Sequence, residues 1–151
     1  MFGKETYIRR RAELKKLVGN GVILLFGNNE APANYPANAY SPFRQDSSFL
    51  YFFGQHRDGL VGVIDVDNDP EPLIGDDIDI EDIVWFGSVD SVSNLASQVG
   101  VAKSGPMKEL KSICNEALRL HRKVHFLPPY RFDAKFSRKV IVCSVSKGIV
   151  S

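Results

Sequence analysis

A chain of 151 residues, 44% hydrophobic and 25% charged, holds enough apolar material for one core and needs no disulfide or metal staple. A formal net charge of +1 gives nucleic acid or an anionic membrane no electrostatic claim as main partner, and no apolar run approaches a membrane span. Met1 to Lys16 carries six basic residues and no apolar core, so it is not a secretory signal, and Cys114 and Cys143 read as reduced thiols of a cytosolic protein.

In chain order, Tyr7, Ile8, Arg11, Leu14, Leu17 and Val18 recur at helical spacing. They predict an amphipathic helix over Thr6 to Val18, with the basic residues outward and Gly19-Asn20-Gly21 as its stop. Five apolar residues from Val22 to Phe26 predict a strand covered on both faces. Gly27 to Pro42, with three prolines and four asparagines, predicts a long irregular segment of the kind that carries function. Asp46, Ser47 and Ser48 suggest a turn into a strand from Phe49 to Phe53. A strand over Leu60 to Val66, a turn at Asp67-Asn68-Asp69-Pro70 and a short strand at Pro72 to Ile74 complete an antiparallel meander at the sheet centre. Ser91 to Val99 reads as a short helix closed by Gly100. Pro106 to Leu120 reads as a longer one, buried through Leu110, Ile113, Cys114, Ala117, Leu118 and Leu120. Val124 to Leu127 is a strand cut off by Pro128-Pro129, and the residues of Lys135 to Val145 suit strand and helix alike. Helices at both ends with strands between them make a single α/β domain.

Chemistry is harder to find. Asp65 to Asp90 contains ten acids and no base, which is either a solvated edge or a face for a basic surface on another subunit or domain. Asp65, Asp67 and Asp69 have the spacing that opens a calcium loop, but Pro70 and Asp76 replace the glycine and glutamate such a loop needs, so a hairpin turn is expected. His121 and His125 are spaced as in zinc proteases, yet Arg122 replaces the catalytic glutamate and basic neighbours oppose a dication. His56 has no evident acid or nucleophile beside it, and neither a nucleophile motif nor a phosphate loop is present. The chain holds no self-sufficient active site. Two residues remain. Trp85, the sole tryptophan, is either core between Val84 and Phe86 or a rim residue whose indole suits a proline ring. Arg44 is either a clamp on a carbonyl or on the acidic segment, or a substrate contact.

Tyr40 followed by Arg44-Gln45-Asp46-Ser47-Ser48-Phe49-Leu50-Tyr51-Phe52-Phe53-Gly54, with Trp85-Phe86-Gly87 further on, resembles the N-terminal domain of Xaa-Pro aminopeptidases (aminopeptidase P), in the creatinase and prolidase superfamily. The resemblance runs over nearly the whole chain, residues 1–151. It implies a creatinase-type N-terminal domain with a mixed sheet of about six strands flanked by helices. It favours a helix for Lys135 to Val145. It also implies that catalysis belongs to a C-terminal pita-bread domain absent from this chain, where two divalent metals, usually manganese, activate water to release the residue ahead of proline. This domain would then shape the pocket for proline-containing peptides and join subunits of a homo-oligomer, with Trp85 near the pocket of an adjoining subunit. The acidic Asp76-Asp77-Ile78-Asp79 stands where relatives usually carry arginines, which marks the local partner surface as different. A stand-alone binding module, or the same domain from a prolidase or creatinase, is the alternative reading.

Overall fold

The computed structural model of the chain describes residues 2–29, 43–77 and 90–127. Its elements are α1 (Lys4–Val18), β1 (Val22–Phe26), α2 (Ser47–Phe53), β2 (Val61–Asp65), β3 (Leu73–Ile74), α3 (Val92–Gln98), β4 (Ser104–Gly105), α4 (Met107–Arg119) and β5 (Val124–Phe126). The strands form one sheet in the order β4-β3-β2-β1-β5. An antiparallel meander does lie at the centre, but it is β1-β2-β3, with β1 in the place expected for Phe49 to Phe53; β4 is parallel to β3 on one side and β5 parallel to β1 on the other. Among the described residues the mixed sheet therefore has five strands, and only β2 runs against the rest.

Burial follows from the two-residue period of the strands. Ile23, Leu25, Ile64 and Leu73 join Tyr7, Phe49, Phe53 and Leu95 in a core under α1, α2 and α3. Val22, Leu24, Val63 and Ile74 join Leu110, Cys114 and Ala117 in a second core under α4. Both faces of β1 are thus covered, which is why its sequence is an unbroken apolar run. Burial pushes the Cys114 thiol up, so that it behaves as a small apolar residue of this second core.

Several expectations need correction. Phe49 to Phe53 is helical, not a strand. In a strand Phe49, Tyr51 and Phe53 would share one face, whereas here Phe49 and Phe53 are fully buried and Tyr51 is 50% exposed. The four-residue spacing won because both ends of the helix are capped. The stripe of α1 is also narrower than its periodicity suggests, since Leu17 is 85% exposed and Ile8 lies at the surface. Arg11 takes the central buried place instead, at 0% exposure. Its guanidinium donates to Glu71 Oε2 at 2.5 Å, to the carbonyls of Phe52 and Val99 at 3.0 Å each and to that of Gly100 at 3.3 Å. Leu120 falls beyond the end of α4 and is half-exposed. The two-residue β4 carries no apolar signal and forms through backbone bonds, with the Leu73 and Gly75 amides donating to the Lys103 and Gly105 carbonyls. The segment Lys135 to Val145, with Cys143, lies outside the described residues.

From Asp65 to Glu71 the acidic stretch is met by bases of this chain. Arg122 pairs with Asp65 and, at 2.7 Å, with Asp67. Lys15 pairs with Asp69 and, at 2.6 Å, with Glu71. Bases distant in sequence therefore neutralise the β2–β3 turn. His121 sits past the helix end at a φ of 53°, while His125 is in β5 with Nε2 2.9 Å from the Asn20 carbonyl, so the two share no helix face.

Two of these pairs make the stability of the fold depend on pH. Burial pushes the Asp65 carboxyl up, but hydrogen bonds from Arg122 and Asn68 overturn that and hold it below 3.8. Its stabilisation is complete above that ordinary value and is lost as the pH falls through the lower native one. Burial lowers Lys15, yet its bonds to Asp69 and Glu71 hold it above 10.5, so its contribution is complete below that value and lost as the pH rises through the native one. Thermal unfolding across pH should show Arg122→Met less stable near neutrality and with a shallower acid decline than the parent. A parallel decline in both would contradict the assignment.

Candidate functional site

Four co-directional strands end, and β2 starts, at one end of the sheet, the end at which open α/β sheets bind ligands, and Arg44 to Asp46 of the first motif lie there. Asn28 follows β1, Arg44 to Asp46 lead into α2, the turn through Arg57 leads into β2, and Asp76 and Asp77 follow β3. Buried polar groups there need partners, and they find them in each other.

Gln45 is the hub of the first part and is 3% exposed. Its Oε1 accepts from the amides of Asn28 at 2.5 Å and Asp46 at 2.9 Å, and its Nε2 donates to the Arg57 carbonyl at 2.6 Å. Asn28 returns the contact, its Nδ2 donating to the Arg44 carbonyl at 2.9 Å. Asp46 then caps α2, with Oδ1 accepting from the Ser48 amide at 2.9 Å and the Phe49 amide at 3.0 Å. Phe49 and Phe53 stack one turn apart, with ring centroids 5.5 Å apart. Gly54 closes the helix in the left-handed conformation at a φ of 64°, where a Cβ would run into the Tyr7 ring. Gln45, Asp46, Phe49, Phe53 and Gly54 are therefore framework.

Arg44 differs from them. Its side chain is exposed, and among the described residues its guanidinium has neither an ion pair nor a hydrogen bond. The clamping of carbonyls falls to Arg11 and Arg57 instead, which sequence reasoning missed. Their signal was only their chain position, Arg11 on a helix face and Arg57 in a turn. The Arg57 guanidinium donates to the carbonyls of Asp76 and, at 3.2 Å, Asp90, and lies 3.8 Å from Asp77 Oδ1. Trp85, Tyr40 and Gly87 lie outside the described residues. His56 meets the edge of Phe43, ring centroids 5.4 Å apart, and joins no catalytic pair among the described residues.

Two surface grooves, of about 270 and 830 Å³, are lined near the opposite end of the sheet by residues such as Pro70, Leu120, Lys15 and Lys103, and neither involves Arg44, Gln45 or Arg57. The described residues do not fit a divalent metal, since no three of their His, Cys, Asp or Glu side chains converge. Nor is any described helix long and apolar enough to cross a membrane.

The family model of the aminopeptidase P N-terminal domain matches residues 7–126. No curated protein matches the chain. Among solved structures, aminopeptidase P from E. coli in its low-pH form superposes with a TM-score of 0.75 at 22% identity, covering 97% of this chain and 33% of that one. The E. coli enzyme with the inhibitor Pro-Leu gives 0.73, and its zinc-substituted form in complex with product 0.75, at the same identity and coverage. That likeness establishes the fold, and the chain spans about a third of the length of the enzymes it matches.

The framework roles of two motif residues are directly measurable. Asp46→Ala should cost about 1 kcal/mol of stability in denaturant unfolding, the worth of an N-cap. Gly54→Ala should cost more, about 2–4 kcal/mol, from left-handed strain and the Tyr7 collision together. Equal and negligible losses would contradict this account of the motif.

Proposed function

The chain belongs to the aminopeptidase P N-terminal domain family, and on that footing we propose that it is the non-catalytic part of a metal-dependent Xaa-Pro aminopeptidase. In this reading it shapes the pocket that receives a proline-containing peptide and provides contacts between subunits. The two divalent metals, manganese by the family pattern, and the water they activate belong to a catalytic domain outside this chain.

The observation that carries the reading is Arg44. Gln45, Asp46, Phe49 and Phe53 of its motif are turned inward, while the Arg44 guanidinium is left exposed on a backbone fastened by Asn28 and preceded by Phe43. A charged fork on a fixed base loses little freedom when it meets a peptide carbonyl or carboxylate. Trp85 is assigned the apolar side of the same task, its indole stacking on the proline ring.

Purified alone with manganese, the chain should release no residue from an Xaa-Pro peptide, and robust metal-dependent turnover would sink the proposal. With the catalytic domain joined, Trp85→Ala should lower kcat/KM for longer peptides by about 1–2 kcal/mol while metal content stays the same. The reading fails if Trp85→Ala instead leaves kinetics intact and collapses the unfolding midpoint of the isolated chain, as loss of a core tryptophan does.

A further inference from the structure

Arg57 is engaged on both of its polar ends, and the two ends serve different parts of the chain. Its carbonyl accepts from Gln45 Nε2 at 2.6 Å, and Gln45 in turn holds the Asn28 amide at 2.5 Å. Asn28 and Gln45 flank the segment 30–42. Its guanidinium reaches the Asp76 and Asp90 carbonyls and the Asp77 carboxylate, residues that flank the segment 78–89. Asp77 Oδ1 is further fixed by the Val92 amide at 2.6 Å, and Asp76 Oδ1 by the Met107 amide at 2.9 Å. The Arg57 side chain is only 15% exposed although its acidic partners face solvent, so it is packed in place and not merely resting on the surface.

We propose that Arg57 is a positioning residue that couples the flanks of these two segments, so that a disturbance at one is felt at the other. The guanidinium suits this role because its planar fork offers donors in several fixed directions, whereas a lysine ammonium is a single point that cannot span both carbonyls and the carboxylate. A shift of the Asp76–Asp90 stems moves the guanidinium, and the Arg57 carbonyl then pulls on Gln45 and Asn28. Coupling of this kind is reciprocal.

The sole tryptophan, Trp85, lies in the second segment, so intrinsic fluorescence of the 151-residue chain reports on that segment without any assay of turnover. Gln45→Met removes the donor to the Arg57 carbonyl, well away in sequence from Trp85. It also removes the acceptor of the Asn28 and Asp46 amides, and it should raise acrylamide quenching of Trp85 by at least about twofold as the local opening equilibrium shifts. Arg57→Met should act in the same direction and also speed amide exchange at Asn28 and Asp46. Adding Gln45→Met to it should then change the quenching no further. Arg57→Lys should give intermediate values for both. Faster exchange at Asn28 and Asp46 in Gln45→Met, with Trp85 quenching left at the parent value, would show independent segments and overturn the proposal. If Gln45→Met does not fold, Arg57→Lys carries the test, and unchanged exchange at Asn28 and Asp46 in that variant overturns it equally. The coupling can fail while the pocket reading stands, and an intact coupling does not rescue that reading if Trp85→Ala leaves peptide kinetics unaltered.

Discussion

The carboxamide of Gln45 is the contact on which the motif-bearing end of the molecule depends. It is buried at a place where strand β1 ends, helix α2 begins and the turn into β2 passes, and these leave two buried backbone amides and a part-buried carbonyl in need of partners. One side chain with an acceptor and a donor settles the Asn28 and Asp46 amides and the Arg57 carbonyl together. An aspartate or glutamate lacks the donor, and an apolar residue of the same size leaves three groups unpaired at roughly 1–3 kcal/mol each. The position of α2, and with it of Arg44, follows from that economy of partners.

The opposite end of the sheet is held by charge. Arg11, Lys15 and Arg122 come from the N-terminal helix and from the turn after α4, and together they engage Asp65, Asp67, Asp69 and Glu71. Arg11 is the most demanding of these, since a fully buried guanidinium must be both paired and hydrogen-bonded to offset its desolvation. Glu71 and three backbone carbonyls meet that requirement and join α1 to the ends of α2 and α3. At the strand-end side Arg57 is the paired base, through Asp77, while Arg44 is in no ion pair among the described residues and stays exposed.

Much of this was legible in the residues. The unbroken Val22–Phe26 run announced a strand buried on both faces, and Asp67 to Pro70 announced the hairpin turn, because both signals are local. Phe49–Phe53 misled, since aromatic runs favour strands in general. The deciding evidence was the Asp46 cap and the left-handed Gly54, which only matter once a helix is considered. In the acidic stretch the bases that meet Asp65 to Glu71, namely Arg11, Lys15 and Arg122, lie 50 or more positions away, and no window of sequence shows them. At the site, the motif marked the right stretch but not the division of labour within it. Gln45 as hub and Arg57 as clamp depend on chain crossings that sequence spacing does not encode.

The central proposal is that the motif presents Arg44 to a peptide held by a separate catalytic domain. A crystal structure of the chain joined to that domain, with a proline-containing peptide bound, tests it most directly. The account predicts Arg44 and Trp85 against the peptide, with the Asn28, Gln45 and Arg57 contacts kept as they are here. A peptide bound productively with both side chains remote from it, and with Arg44 turned into contacts of its own domain, would contradict it.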